Sequence, residues 1–187
     1  MLLRTWYLFL CAAPFLTTWL LTFFRKNWGN EARQALWEEQ KVLIPRICAG
    51  EKDFAGANLA GADMSGADLK QADLGGTNLD GAVLDEAFVT ETNFSGTNFN
   101  LARLGNIRLT FANFSEADLR GMELSGRDLW HNCFVKADLR EANLLGADLS
   151  HVDLSGADLR GAQLDPDQLA NVKSYSGAIM PDGTRRP

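Results

Sequence analysis

The sequence has few residues of the kinds that catalyse reactions or bind metals. Its 187 residues include two histidines and three cysteines, Cys11, Cys48 and Cys133. The cysteines are odd in number and far apart, so they predict neither a disulfide framework nor a CxxC site. General acid–base catalysis has few candidates among two histidines, and no nucleophile elbow or phosphate loop occurs. We therefore predict that the protein is not an enzyme and binds no cofactor.

A basic surface of the kind that binds nucleic acid is also missing. The net charge is −6, and residues 53–169 carry eight basic and 19 acidic side chains. This excess of acid predicts no nucleic-acid binding. Like charge spread along a segment chiefly keeps it in solution, and we interpret the acidic residues in that way.

What the sequence has in abundance is a five-residue repeat. From Phe54 to Leu169 a large apolar residue occurs at every fifth position, at 24 positions in all. The residue two before it is Ala in 14 units, and Asp or Asn lies between them in 16. Helices and strands repeat at 3.6 and 2.0 residues, so neither has this period. A strict internal repeat therefore takes precedence over helix and strand predictions.

Each unit predicts a short extended side followed by a corner. The small residue and the large apolar residue are two apart, so in extended backbone both point inward while the Asp or Asn points outward. Gly fills the second residue after the apolar one in 11 of 24 units. That frequency suits the second central position of a type II turn, which needs a positive φ. Stacked units of this kind form a parallel β-solenoid.

The unit, as in Ala67-Asp68-Leu69, resembles the repeat of the pentapeptide-repeat family. The resemblance implies an all-β solenoid: a right-handed, four-sided parallel β-helix with four units per coil and about six coils. The sequence supports a 20-residue coil independently, because four phenylalanines are separated by multiples of 20 and would share one internal column. They are Phe54, Phe94, Phe114 and Phe134.

An uncharged run over residues 5–24 predicts a transmembrane helix within residues 1–26, since about 20 apolar residues span a bilayer. A cleaved signal peptide and a buried core helix are the alternatives. More positive residues follow the run than precede it, which favours a single-pass protein with the repeats on the cytoplasmic side.

The segments on either side of the repeats, which we place at residues 53–165, are predicted to cover the open ends of the solenoid. Within residues 27–52, Asn30 to Ile44 reads as an amphipathic helix with Ala32, Ala35 and Leu36 on its apolar face, ended by Pro45. A partner-docking helix is the alternative. Residues 166–187 are predicted to begin with one helical turn at Pro166 and to end in a mobile tail.

Departures from the repeat converge on one edge when residues 20 apart are stacked. An exposed patch of aromatic residues, Val and Arg is typical of a protein interaction surface. The simpler alternative is surface drift, because single exposed apolar residues are common. The predicted docking residues are Phe88, Arg108, Phe111, Trp130, His131 and Val135.

The same region holds candidate ligands for a zinc site. The candidate ligands are His131, Cys133, His151 and Asp153. Against a metal, Asp at that position is the ordinary residue of the repeat, and exposed histidines are common.

Two polar residues, Arg127 and Asn132, occupy positions that should point inward. Since a lone buried charge is costly, we expect a local distortion that lets Arg127 reach water along its aliphatic stem.

These observations predict a membrane-anchored scaffold whose rigid repeats dock a protein partner. The predicted membrane span favours a partner in a membrane complex, whereas the family resemblance leaves the partner open. The abundance of the family in photosynthetic organisms implies a photosynthetic membrane. The alternative comes from family members that look like B-form DNA, bind DNA gyrase and protect it from quinolones.

Overall fold

The computed structural model describes residues 31–187. The chain divides into two compact units, Met1–Glu51 and Lys52–Pro187. The first contributes helix α1, Glu31–Cys48. The second contains the repeats and a short 3₁₀ helix, Pro166–Leu169.

Helix α1 runs through Pro45 and ends three residues later, so the prediction that Pro45 ends it is wrong. Proline removes one backbone donor but does not prevent the helix from continuing. The ending is set by Gly50, whose φ of 81° is the left-handed conformation that closes many helices. The amides of Gly50 and Glu51 donate to carbonyls of the last turn, at 3.0 and 3.1 Å.

Among the side chains of α1 that the structure describes, the buried ones are Leu43 and Ile47, which are four apart and therefore on one face. Ala35 is exposed and Leu36 half-buried. The buried side chains described in α1 thus lie nearer the end of the helix than Ala35 and Leu36, which the sequence pattern placed on the apolar face. A role for this helix in covering the end of the solenoid stays a prediction.

The repeats form a ladder of parallel bridges between residues 20 apart, from Asp53↔Asp73 to Asn143↔Gln163. Each side of a coil contributes a single bridging residue to this ladder. A spacing of 20 residues means four five-residue units per coil. The predicted four-sided parallel β-helix is therefore confirmed for the repeat segment.

The outward Asp and Asn side chains stabilise the backbone through hydrogen bonds. Asp63 and Asp73 each accept a hydrogen bond from the backbone N–H two residues on, at 3.0 and 2.9 Å. Asn side chains also bond along their column, as in Asn78 to Asn58 at 3.2 Å. Such short polar side chains stabilise turns by binding their own backbone, which explains why the repeat prefers them.

The corners have the positive φ that the repeat predicted. Gly56 has a φ of 70° at the second corner position. The equivalent residues of other units keep this conformation without being Gly, for example Gln71 at 58° and Glu141 at 62°. The corner geometry is therefore imposed by the coil, and Gly lowers its energy without being required.

The core is filled by the large apolar residue of each unit. Phe94, Phe114 and Phe134 stack face to face with ring centroids 5.2 and 5.0 Å apart, which confirms the predicted column for these three rings. Phe54 is buried in the same column, separated from Phe94 by Leu74. A buried side chain of this size contributes about 1.5–3 kcal/mol.

The ladder is interrupted at one place between neighbouring coils. Within residues 53–163, the pairs Arg103–Glu123 and Arg108–Asp128 are the ones that form no bridge. Gly105 lies here with a φ of 39°, and a Cβ at this residue would overlap the Asp85 carboxylate. Only Gly fits so close an approach. Asp128, which lacks its bridge to Arg108, directly follows Arg127. A local distortion caused by Arg127 stays a prediction.

The ladder continues beyond residue 165 with one extra residue. The 3₁₀ helix Pro166–Leu169 begins at Pro166 as predicted. After it the bridges join residues 21 apart, Asp153↔Ser174 and Asp158↔Ile179. The chain then folds back, and Arg185 pairs antiparallel with Ile179. The segment predicted as cap and tail thus adds rungs to the ladder and ends in a hairpin.

The predicted membrane span, residues 5–24, lies outside the described residues. Between residues 31 and 187 no helix is long and apolar enough to cross a membrane. Helix α1 contains Glu, Arg and Lys side chains along its length, whereas a spanning helix needs about 20 mainly apolar residues. The prediction of a single-pass membrane protein with its repeats on the cytoplasmic side is corrected on this finding.

One column of the β-helix pairs each outward Asp with an Arg two residues later. Arg120 binds Asp118 through two nitrogens, at 2.8 and 2.7 Å, and Arg160 binds Asp158 in the same way. These hydrogen bonds are the main cause that lowers the pKa of both carboxyl groups below the usual 3.8. Both carboxyl groups therefore stay ionised to a lower pH in the folded state than in the unfolded chain.

We predict that this column makes the β-helix sensitive to acid. A carboxyl group with a lowered folded-state pKa contributes stability above its unfolded pKa, and that contribution is lost as the pH falls through the folded value. The free energy of unfolding should therefore decline below about pH 4. Urea unfolding between pH 7 and 2.5 measures this. In Arg120→Gln/Arg160→Gln the decline should be shallower, and equal declines in both proteins would contradict the prediction.

Candidate functional site

Three rings stack along one outer corner of the β-helix. Phe111, His131 and His151 occupy the same corner position in successive coils. Their centroids are 5.3 and 4.7 Å apart, and neighbouring ring planes differ by 9°. The column follows from the coil, because residues 20 apart are vertical neighbours.

Trp130 packs edge-on against all three rings. Its centroid lies 5.0 Å from Phe111, 4.1 Å from His131 and 6.3 Å from His151, with interplanar angles of 81–88°. Perpendicular contacts place the positive edge of one ring on the negative face of another. We call Phe111, Trp130, His131 and His151 the aromatic edge. Although the rings contact one another, Phe111 is 46% and Trp130 38% exposed.

The backbone of the aromatic edge is held in the left-handed conformation. Phe111, His131 and His151 have φ values of 60°, 58° and 60°. This conformation costs a residue with a side chain about 1–2 kcal/mol. Inter-coil hydrogen bonds fix each corner, as from the His131 amide to the Ser150 carbonyl at 3.2 Å. The rings are thus presented from rigid positions.

The other predicted docking residues lie beside the aromatic edge. Phe88 is 54% exposed and forms a ladder pair with Arg108, which is also exposed. The Lys70 ammonium lies 4.7 Å from the centre of the Phe88 ring, in a cation–π contact that the sequence did not suggest. Lys70 lies in the same column as Trp130, so aligning the sequence in blocks of 20 residues would have placed it next to the predicted docking residues. Val135, on the following side of the coil, is half-buried.

Clustering separates these rings from the other exposed apolar residues. Leu101 is 79% exposed at another corner, half a coil before Phe111. Its neighbours in that column are Gly81 and Gly121, so it stands alone. Single exposed residues of this kind are normal on any surface, whereas adjoining rings form a patch.

Acidic side chains near the aromatic edge are held by local hydrogen bonds. The Ser150 hydroxyl and amide lower the pKa of Asp148, and the nearby His151 lowers it further. Asp153 pairs with Lys173 at 3.1 Å. The edge is therefore bordered by carboxylates that keep their charge at neutral pH.

The four zinc candidates do not come together as a metal site. Over residues 31–187 no group of three or more His, Cys, Asp and Glu side chains could hold a metal ion. The Cys133 sulfur lies 3.2 Å from the Ser115 hydroxyl, and Asp153 is engaged by Lys173. The two histidines, His131 and His151, stack on each other.

The two inward polar residues differ in how they are accommodated. Arg127 is half-buried, and burial is the main cause that lowers the pKa of its guanidinium, opposed by Glu123 and Asp85. Asn132 is 1% exposed. Its side-chain oxygen accepts a hydrogen bond from the Ala112 amide at 2.7 Å, while its Nδ2 has no partner.

The repeats match the family described as pentapeptide repeats, in eight copies over residues 52–85, 62–100, 92–130 and 133–165. These matches cover more than half of the chain. The protein belongs to the pentapeptide-repeat family, whose members are generally structural or interaction proteins.

Solved structures of this family are similar to the chain. HetL of the cyanobacterium Nostoc sp. strain PCC 7120, involved in heterocyst differentiation regulation, is 30% identical with a TM-score of 0.53. The match covers 72% of this chain and 64% of HetL, so the chain spans less than two thirds of that protein.

Two further structures share the fold at lower similarity. A pentapeptide-repeat protein of the Arabidopsis thaliana thylakoid lumen is 21% identical, with a TM-score of 0.36 over 63% of this chain and 71% of that one. The plasmid-mediated fluoroquinolone resistance protein QnrB1 is 17% identical, with a TM-score of 0.43 over 68% and 81%. No curated protein is similar enough to count as a match.

We predict that the aromatic edge contributes little to stability. In Phe111→Gly, the relief of left-handed backbone offsets the lost ring contacts, each about 0.5–2 kcal/mol. Thermal and urea unfolding should show a change within about 1 kcal/mol. Phe114→Ala is the matched control, because Phe114 is buried in the core stack and should cost about 3–5 kcal/mol. Comparable losses in the two variants would show that the exposed ring is a structural residue.

Proposed function

We propose that the protein is a rigid scaffold that binds a protein partner through the aromatic edge. The observation that carries this proposal is the contact of four exposed rings along one corner, three of them at the position where the repeat most often has Gly. Phe88 and Arg108 on one side, and Val135 on the other, extend the surface.

The composition of this surface suits a protein partner. Trp, Tyr and Arg are enriched among the residues that dominate binding energy at protein interfaces. Here Trp130 and Phe111 offer large apolar faces, and Arg108 supplies a planar cation beside them. Exposed apolar patches rimmed by polar residues mark interaction sites.

Rigidity favours binding as well. The rings rise from corners fixed by hydrogen bonds between coils, so little conformational freedom is lost when a partner binds. Ordering flexible side chains and loops otherwise subtracts from affinity. A preorganised row of rings therefore supports a docking function more strongly than the same residues on a loop would.

The family supports a non-catalytic use of the fold without naming the partner. HetL takes part in regulation, and its similarity to this chain extends to the β-helix. The thylakoid-lumen protein has a TM-score too low to support a photosynthetic partner. The proposal accordingly includes neither a membrane nor a photosynthetic complex.

Site-specific photocrosslinking tests the docking surface in cells that naturally express the chain. The full-length protein carries p-benzoylphenylalanine in place of Phe111, or in place of Leu101 as the control. Both residues are exposed at left-handed corners half a coil apart. We expect a discrete crosslinked protein from position 111 that is missing from position 101.

Trp130→Ala, combined with the photoreactive residue at 111, should abolish that crosslink, because Trp130 is the largest ring of the edge. Equal crosslinking from both positions, or a crosslink that persists in Trp130→Ala, would refute docking at the aromatic edge.

A DNA-mimic that binds gyrase is the alternative function, and the acidity of residues 53–169 is the observation behind it. Part of that acidity is neutralised, since Asp118, Asp138 and Asp158 are each paired with an Arg. QnrB1 is too dissimilar to add support. A supercoiling assay with purified gyrase distinguishes the two: protection from a quinolone by the full-length protein, unaffected by Trp130→Ala, would favour the alternative.

A further inference from the structure

Asn132 has an unusual place among the inward residues of the β-helix. It occupies the position where most units have Ala, and it is 1% exposed. Its Oδ1 accepts a hydrogen bond of 2.7 Å from the backbone N–H of Ala112, which lies 20 residues earlier on the neighbouring coil. A polar side chain buried at this position needs a reason beyond filling space.

The hydrogen bond to Asn132 replaces one that the other corners make locally. In the repeats, the amide of the small inward residue donates to the carbonyl three residues earlier, as Ala117 does to Phe114 at 3.1 Å. Over residues 54–162, Ala112 is the exception, and its amide turns to Asn132 instead. At this corner the Ala112 amide is therefore bonded by the Asn132 side chain of the next coil and not by a carbonyl of its own coil.

This corner is the one that carries Phe111. The amide of Phe111 donates to the carbonyl of Trp130 at 3.2 Å, and the next amide, of Ala112, donates to Asn132. Two consecutive amides are therefore held by the segment 130–132. The contact between the Phe111 and Trp130 rings, 5.0 Å between centroids, bridges the same two segments. The Asn132 side chain is thus bonded to the residue that directly follows Phe111.

Stability alone does not account for Asn at this position. Its Nδ2 is buried without a hydrogen-bond partner, a situation that costs about 1–3 kcal/mol. The β-helix buries polar groups elsewhere without such a loss. Thr92, at the equivalent inward position of another unit, donates its hydroxyl to the Leu69 carbonyl at 2.7 Å. Residues that depart from the rule that buried polar groups are hydrogen-bonded are often found at functional sites.

We propose that Asn132 is a positioning residue of the aromatic edge: its side-chain oxygen sets the corner geometry that a partner protein recognises. The inference rests on the proposed docking function, and it adds a buried residue to a surface otherwise defined by exposed rings. Asn132 itself does not touch the partner.

Two variants separate positioning from packing. Asn132→Ala restores the most frequent residue of the repeat, so the Ala112 amide is free to return to the local carbonyl. Asn132→Thr keeps a polar side chain, which, placed as in Thr92 and Thr97, would donate to the carbonyl 23 residues earlier. Neither provides the acceptor that the Ala112 amide now uses. Thr97→Ala is the control, because it removes a buried hydroxyl at a different corner.

The measurement is ¹⁹F NMR of the full-length protein labelled with 5-fluorotryptophan, with the Trp130 resonance assigned by Trp130→Phe. In Asn132→Ala and Asn132→Thr the Trp130 resonance should shift, the unfolding midpoint should stay or rise, and the crosslink from position 111 should be lost. Thr97→Ala should leave the resonance and the crosslink unchanged.

An unchanged Trp130 resonance in both variants would overturn the positioning role. So would a large loss of stability in both, since that result would make Asn132 a structural residue. The Trp130 resonance is measured without a partner, so the positioning role of Asn132 and docking at the aromatic edge are tested by different measurements. A shifted resonance without any crosslink from the wild-type chain would support positioning and refute docking.

Discussion

The fold depends on one register, in which every backbone hydrogen bond between coils joins residues about 20 apart. The Phe54 amide donates to the Asp73 carbonyl at 2.8 Å, and the Asp73 amide donates to the Lys52 carbonyl at 2.6 Å. Because side chains alternate between the inside and the outside, a shift of one residue would place the outward Asp in the core. The strict five-residue repeat preserves this register along the chain.

Because of this register, residues 20 apart in the sequence are stacked neighbours in one column. Similar residues repeated at that spacing therefore contact one another along the β-helix. Phenylalanines 20 apart become a stacked core, and Asp–Arg pairs 20 apart become a continuous charged ladder. The same rule builds the aromatic edge from Phe111, His131 and His151, which are scattered in the sequence. A functional surface can therefore arise on this scaffold through a few corner substitutions without changing the core.

The register is also interrupted at three places, where a local contact, an inserted residue or a side-chain hydrogen bond replaces the regular pattern. At Gly105 the backbone approaches Asp85 closely, and two ladder pairs are lost while the pairs on either side remain. At the 3₁₀ helix Pro166–Leu169 one residue is added, and the spacing becomes 21. At the corner of Ala112, a side-chain oxygen replaces a backbone carbonyl. Intact neighbouring coils hold the chain at each place, so the interruptions remain local.

The five-residue period predicts which residues face inward and the positive φ at the corners. The number of units per coil came from the resemblance to the pentapeptide-repeat family, supported by phenylalanines separated by multiples of 20. With that coil, the sequence also predicts the Phe column and the convergence of odd residues around Trp130. Three features became visible only in the folded protein: the end of α1 at Gly50, the Lys70 contact with Phe88 and the hydrogen bond from the Ala112 amide to Asn132. These depend on side-chain rotamers and on competition between acceptors on neighbouring coils, which a repeat pattern does not encode.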